Sequence, residues 1–349
     1  VQIAVPAAPA NPLAAGEVAR GVAVVAAASV VTVCVDRRRN MTKMKVHKGF
    51  YGFGLSLAAT IMLLPASVFA QLKHFEHAEQ AADAFVIAVA AQDKTALSAL
   101  LGDDYEEVLP MEEIGAEQVQ RFLDAWVRYH TLIAEDDQTR MLAVGVNGWT
   151  LPIPILKQAE GWRFDLAEGE LLMRVRRIGR NELAVMQALL AYHDAQMEYA
   201  EQDRDGDGVL EYAQRFISSP GKRDGLYWEV APGQDESPLG PLFADAKRHE
   251  AYQGYRYRIL TRQGERARGG AQDYLNEANM NGGFAIVAWP ADYGQTGVMS
   301  FMLNREGVVY EADLGPTGGE IASSMPAFDP DLRWSRVDPV AEEAARLLR

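Results

Sequence analysis

The sequence predicts an α+β protein with two domains, on three observations. Helix-period text precedes strand-period text twice, first from Phe75 to about Gly169 and again from Leu171 onward. Turn pairs such as Asn147-Gly148 and Glu160-Gly161 separate the strand-like runs. The 349 residues, 48% hydrophobic and 23% charged, are enough for two cores of ordinary size.

Residues 1–40 are rich in Ala and Val, begin with Val and end in VDRRRN, which reads as a spurious N-terminal extension. The apolar run 21–35 is fifteen residues, short of the approximately 20 needed to span a bilayer. Met41 or Met44 is the expected start. Residues 41–70 follow the order of a secretory signal peptide: Lys43, Lys45 and Lys48, then an apolar run from Leu55 to Leu64, then compact Val68 and Ala70 before a cleavage site. Cleavage after Ala70 leaves Gln71 first, and the expected location is periplasmic or secreted. No cysteine follows the apolar run to carry a lipid, and Cys34, the chain's single cysteine, lies upstream of the cleavage point.

Seven of the 34 basic and two of the 48 acidic residues lie in the first 70, so the remainder carries 27 basic and 46 acidic residues, a net of −19. Such a surface repels nucleic acid and anionic membrane and attracts cations. No membrane span is expected once the signal is removed.

The N-terminal domain, 71–170, opens with a helix in which Phe85, Val89, Leu97 and Leu100 recur at helical spacing, broken near Gln92-Asp93. A second helix is expected over GAEQVQRFLDAWVRYH, then strands at TRMLAVGV, LPIPILKQ and GWRFDLA. The pattern is similar to cone-shaped domains of the nuclear-transport-factor or cystatin type. In such cones a ligand site and a plain scaffold are both open readings.

The C-terminal domain, 171–340, opens with a long helix. Leu183, Met186, Leu190, His193 and Met197 fall at steps of three and four, one core-packing stripe with His193 as a hydrogen-bonded core histidine. Asn181 after Gly179 is the expected N-cap. GYRYRILT, FAIVAWP, GVMSFMLN and GVVYEADL then predict a meander of about four antiparallel strands, with a turn at Asn304-Arg305-Glu306-Gly307. Residues 341–349 are a tail. Tyr252, Tyr255, Tyr257, Trp289 and Tyr293 fit either an exposed binding patch or sheet core.

The blocks RRIGRNEL, YAEQDRDGDGVLEYAQRF, PGKRDGLYW, SPLGPL, GYRYRILT and GGFAIVAWPADYGQTGVMSFMLNREGVVYEADLG resemble the bacterial family known as domain of unknown function 2950. The resemblance covers about 172–316 and extends more loosely back to Phe75. It implies an exported protein and carries no catalytic residues with it. The C-terminal plan is also similar to pseudopilin-like proteins, without their N-terminal hydrophobic helix and processing site.

PGKRDG is not a phosphate loop: the glycine spacing before Lys222 is missing, and Arg223 stands where Ser or Thr would hold magnesium. Lys222 and Arg223 are expected to pair acidic neighbours. Ser218 and Ser219 lack the glycines of a nucleophile elbow, and no motif sets a histidine beside a serine. His74 and His77 are expected on a mobile mature N-terminus, the alternative being a shared helical face at i and i+3 that touches a metal. Adjacent acids such as Asp103-Asp104 and Asp136-Asp137 reflect an acidic chain and define no glycosidase geometry.

The acidic loop Asp203-Arg204-Asp205-Gly206-Asp207-Gly208 is the candidate metal site. Asp203, Asp205 and Asp207 match positions one, three and five of a calcium loop, Gly208 the sharp turn, Val209 the carbonyl position, and Glu211 position nine. Position twelve is Gln214 in place of the usual bidentate Glu. Oxygen-only ligands suit a hard cation and not zinc, so calcium is the expected cofactor, in a structural role. DRDGDG equally satisfies a plain Asx-type turn. The sequence therefore predicts a non-enzymatic envelope module, binding or structural, with an envelope protein or polymer as partner. The alternative is a hydrolase acting on envelope material in an inter-domain crevice.

Overall fold

The computed structural model describes residues 72–111, 113–230, 236–240 and 251–337. The extension 1–40, the signal segment 41–70 with its cleavage point, and the tail 341–349 lie outside the described residues. The chain is mixed α+β, with a long helix followed by an antiparallel meander. The described residues form two units, 72–174 and 175–337. Among them no helix is long and apolar enough to cross a membrane.

In the first unit, α1 (Ala78–Ala91) buries Phe85 and Val89 among alanines. It stops where Gln92 turns left-handed at φ 51°, and Asp93 starts α2 (Lys94–Leu101) by accepting the Ala96 amide at 3.0 Å. The short α3 (Tyr105–Val108) and then α4 (Ala116–Arg128) follow. The expected second helix stops before its predicted end. Tyr129 is extended, and His130 opens β1 (His130–Ala134), because β-branched Thr131 and Ile133 pair with β2 (Thr139–Val144). With β3 (Trp149–Thr150), β4 (Ile155–Gln158) and β5 (Gly161–Phe164), these strands form an antiparallel sheet of order β1-β2-β4-β5, with β3 on β2. Phe85 joins helix to sheet, its ring 5.4 Å from that of Phe164. Gly161, at φ 126°, passes against the Phe75 carbonyl where a Cβ would collide, so the Phe75–Trp162 backbone pair closes over it.

Helix α5 (Leu166–Tyr199) runs unbroken through Gly179 and Asn181. Asn181 is thus not a cap. It lies inside the helix, and its side-chain amide donates to the Thr296 carbonyl at 2.8 Å. The predicted stripe is core over most of its length: Met186 and Leu190 are each 5% exposed, and Leu183 packs against the same core. Val185, Leu189, Tyr192, Gln196 and Tyr199 are the most deeply buried, at 0–1% exposure, whereas Met197 is 41% exposed. The large aromatics claim the centre of the core, with Met186 and Leu190 buried beside them and Met197 out at the edge. His193 sits at that edge, half-buried, its Nε2 3.1 Å from the Arg305 carbonyl.

The meander has five strands, β6 (Tyr255–Leu260), β11 (Ala285–Pro290), β12 (Met299–Asn304), β13 (Val309–Asp313) and β14 (Ser335–Arg336), in the order β14-β13-β12-β11-β6. The short pairs β7 (Arg262–Gln263) with β8 (Gln272–Asp273), and β9 (Leu275–Asn276) with β10 (Asn279–Met280), are inserted between β6 and β11. Every residue of β11 is buried, as its continuous apolar run requires. The expected turn after β12 forms, with Gly307 at φ 72° donating to the Asn304 carbonyl. Tyr255 (0%) and Trp289 (9%) are core, and Tyr252 and Tyr257 pack against it, so these aromatics form no exposed patch. Helix α6 (Gly318–Ser324) is tied to β6 by Arg258, which donates to the Ala322 and Met325 carbonyls.

Candidate functional site

The acidic loop begins where α5 ends. Arg204 reaches back to the Glu198 and Tyr199 carbonyls, both at 3.4 Å, a cation at the helix C-terminus added to the Glu201 and Gln202 amides that those carbonyls already accept. Its guanidinium also lies 5.6 Å from the Trp228 ring centre, and Arg223 approaches the same ring at 5.3 Å. Below the loop, buried Gln196 accepts the Ala213 amide and donates to the Ala213 carbonyl, both at 2.8 Å, and donates to Tyr192 Oη at 2.9 Å. The helix thereby pairs with the segment leaving the loop as a strand neighbour would.

Inside the loop the backbone turns on its own aspartates. Asp203 accepts the Gly206 amide at 2.7 Å and the Gly208 amide at 2.9 Å, and these bonds, Gly208 foremost, hold its carboxyl below the usual range. Asp207 accepts the Val209 amide at 2.8 Å. Gly206 and Gly208 take φ of 83° and 88°, which only glycine adopts without strain. The loop docks on the β9–β10 hairpin. The Asn279 amide donates to Asp207 at 2.5 Å, Glu211 accepts the Met280 amide at 3.0 Å, and the Gln214 amide donates to the Ala278 carbonyl at 2.6 Å.

One carboxylate oxygen from each of Asp203, Asp205 and Asp207 lies within 4.8 Å of the others. Ligands on opposite sides of a calcium ion are separated by about twice 2.3–2.6 Å, roughly 4.6–5.2 Å, so the three oxygens can share one ion. Among the described residues this is the only group of three or more metal-capable side chains. Of the two other predicted ligands, Glu211 has its carboxylate turned to Met280. Burial pushes its carboxyl up; the Met280 amide opposes this, and the charges of Asp205 and Asp207 add to it. A cation held by the aspartates would lift that repulsion. Asn279 and Met280 are contributors that sequence reasoning missed, because β10 carries no acidic residue and no loop signature.

The remaining candidates do not converge. His74 lies 3.4 Å from Glu160, and His77 precedes α1 with Glu76 at 3.9 Å. Ser219 and Asp224 bond to one another and to Arg215, closing the PGKRDG turn. Arg223 has its guanidinium over the Trp228 ring.

No curated protein and no solved structure matches the chain. The family described as "Protein of unknown function (DUF2950)" matches over residues 72–337, a span that holds both units and the acidic loop, and the chain belongs to that family.

Proposed function

We propose that the protein is an exported, non-enzymatic envelope module, binding or structural, whose acidic loop is stabilised by calcium. The observation that carries the calcium reading is the convergence of Asp203, Asp205 and Asp207 within 4.8 Å. These three and the Val209 carbonyl would hold the ion, Glu211 joining them by turning from Met280, and the ion would supply charge neutralisation and fix the loop between the end of α5 and β10. Export rests on the basic, apolar and compact order of 41–70.

A non-catalytic role is supported by how the displaced carboxyls are used. Glu182 and Glu211, both pushed up, each accept backbone amides, which is structural work. The partner is an envelope protein or polymer.

The calcium test is thermal unfolding in about 1 mM calcium against chelator. An extracellular-type site with Kd of about 0.1–1 mM adds about 0.4–1.4 kcal/mol, a rise in Tm of about 1–6 °C. Trp228, next to Arg204 of the loop, gives an independent fluorescence readout. Asp205→Ala should abolish both responses. Identical melting and fluorescence in calcium and chelator would strike calcium from the proposal.

A further inference from the structure

The unit spanning 72–174 contains a cavity of about 940 Å³. Phe85 and Val89 of α1, with Leu151 and Ile153 beyond β3, form its apolar depth. Helix α4 makes one wall with Phe122. At the rim the chain leaves apolar groups in water: Trp149 is 51% exposed and Val146 75%. The volume falls at the upper end of the approximately 300–1,000 Å³ range of small-molecule sites.

The charges at the rim point to the ligand's polar end. Residues 71–170 hold 19 acidic and only seven basic side chains, yet two of the seven, Arg121 and Arg128, line this cavity. Arg121 is engaged by Glu117 at 3.7 Å, and Asp124, the one lining carboxylate among the described residues, accepts the Gln120 amide at 2.8 Å. Arg128 has no ion pair or hydrogen bond among the described residues. A free guanidinium fork beside an apolar mouth matches a carboxylate, which it can hold with two parallel charge-assisted bonds.

We infer that this cavity binds a single-chain amphiphile with a carboxylate head, of the long-chain fatty acid class, its alkyl chain against Phe85 and Phe122 and its carboxylate on Arg128. The inference gives a ligand class to the binding role proposed above and rests on that reading, but not on the calcium loop.

The test is a displacement assay on the full chain with cis-parinaric acid as the fluorescent probe, run below micellar concentrations. Lauric acid should displace the probe at about tenfold lower concentration than 1-dodecanol, since only the acid engages Arg128. Arg128→Ala should remove that preference, with the alcohol's affinity unchanged. Gln118→Trp, an exposed lining position on α4, should weaken acid and alcohol alike by at least fivefold by filling the mouth. The results should be the same in calcium and in chelator.

Absence of saturable probe binding, equal displacement by acid and alcohol, an unaltered preference in Arg128→Ala, or binding only to phosphatidylglycerol vesicles would each overturn the inference. Retention on envelope polymer without uptake of lauric acid would overturn the ligand class and leave the binding role standing. Lauric acid uptake by a chain found unprocessed in the cytoplasm would uphold the cavity and sink the envelope reading.

Discussion

Asn279 on β10 donates its side-chain amide to Asp207 of the acidic loop at 2.5 Å, joining residues 72 positions apart in the sequence. The bond fixes the third aspartate of the cluster against a hairpin that local sequence does not connect to it. Asn279→Ala should therefore reduce the calcium-induced rise in Tm by more than half. In chelator the cost should be small, about 0.5–1.5 kcal/mol for one exposed hydrogen bond. An undiminished calcium response would show that Asp207 is positioned by the loop alone.

Glu182 on α5 accepts the Val298 and Met299 amides at 2.9 and 3.0 Å, and Tyr255 packs beside it, donating to the Met299 carbonyl at 2.9 Å. Burial, against the pull of those amides, raises its carboxyl above the usual value of 4.5. The folded state then holds this proton to higher pH than the unfolded chain does. The group's contribution to stability is greatest below about 4.5 and declines as pH rises through the raised value. Glu182→Gln keeps an acceptor oxygen and removes the charge, so its stability relative to wild type should improve as pH climbs from 4.5 toward neutrality. Urea unfolding of both proteins across that range measures the difference; a constant offset would refute the assignment.

Phe284 is fully buried and edge-on to two tyrosines, Tyr192 at 5.7 Å and Tyr212 at 4.8 Å, linking α5 to the segment just after the acidic loop. Phe284→Ala should destabilise the unit by about 3–5 kcal/mol, from lost burial and the cavity left behind. The expected fall in Tm is about 6–20 °C, read by calorimetry. A loss under 1 kcal/mol would mean that the aromatic cluster does not hold the loop's base.

Processing is checked by N-terminal sequencing. Protein recovered from the periplasm or medium should begin at or next to Gln71, without residues 1–40. An intact chain starting at Val1 in the cytoplasm would remove both the signal assignment and the proposed location.

Much of the architecture was legible locally. The break at Gln92-Asp93, the turn at Asn304–Gly307 and the buried run of β11 depend on interactions within a few residues, and each forms where the text placed it. The aspartates converge because the loop bonds to its own amides. Asn181 misled because an Asn after a glycine resembles a cap; the helix continues through it once its amide has the Thr296 carbonyl as partner. The stripe held at Met186 and Leu190 and misled only at Met197, because helical spacing specifies a face to within about one position and the bulk of Tyr192 and Tyr199 decides which side goes inward.

The sequence by itself determined the order of elements, the α+β class, the acidic surface and the aspartate loop, because propensity, capping, turn chemistry and net charge act at short range or by composition. Only the tertiary structure decided that Asn279 reaches Asp207, that Glu211 turns to Met280, that Glu182 accepts the Val298 and Met299 amides at the start of β12, and that Arg121 and Arg128 meet Phe85 around one cavity. The segments that supply these neighbours are far apart in sequence; they are brought together by burial of apolar surface, which is non-directional and leaves no signature in local text.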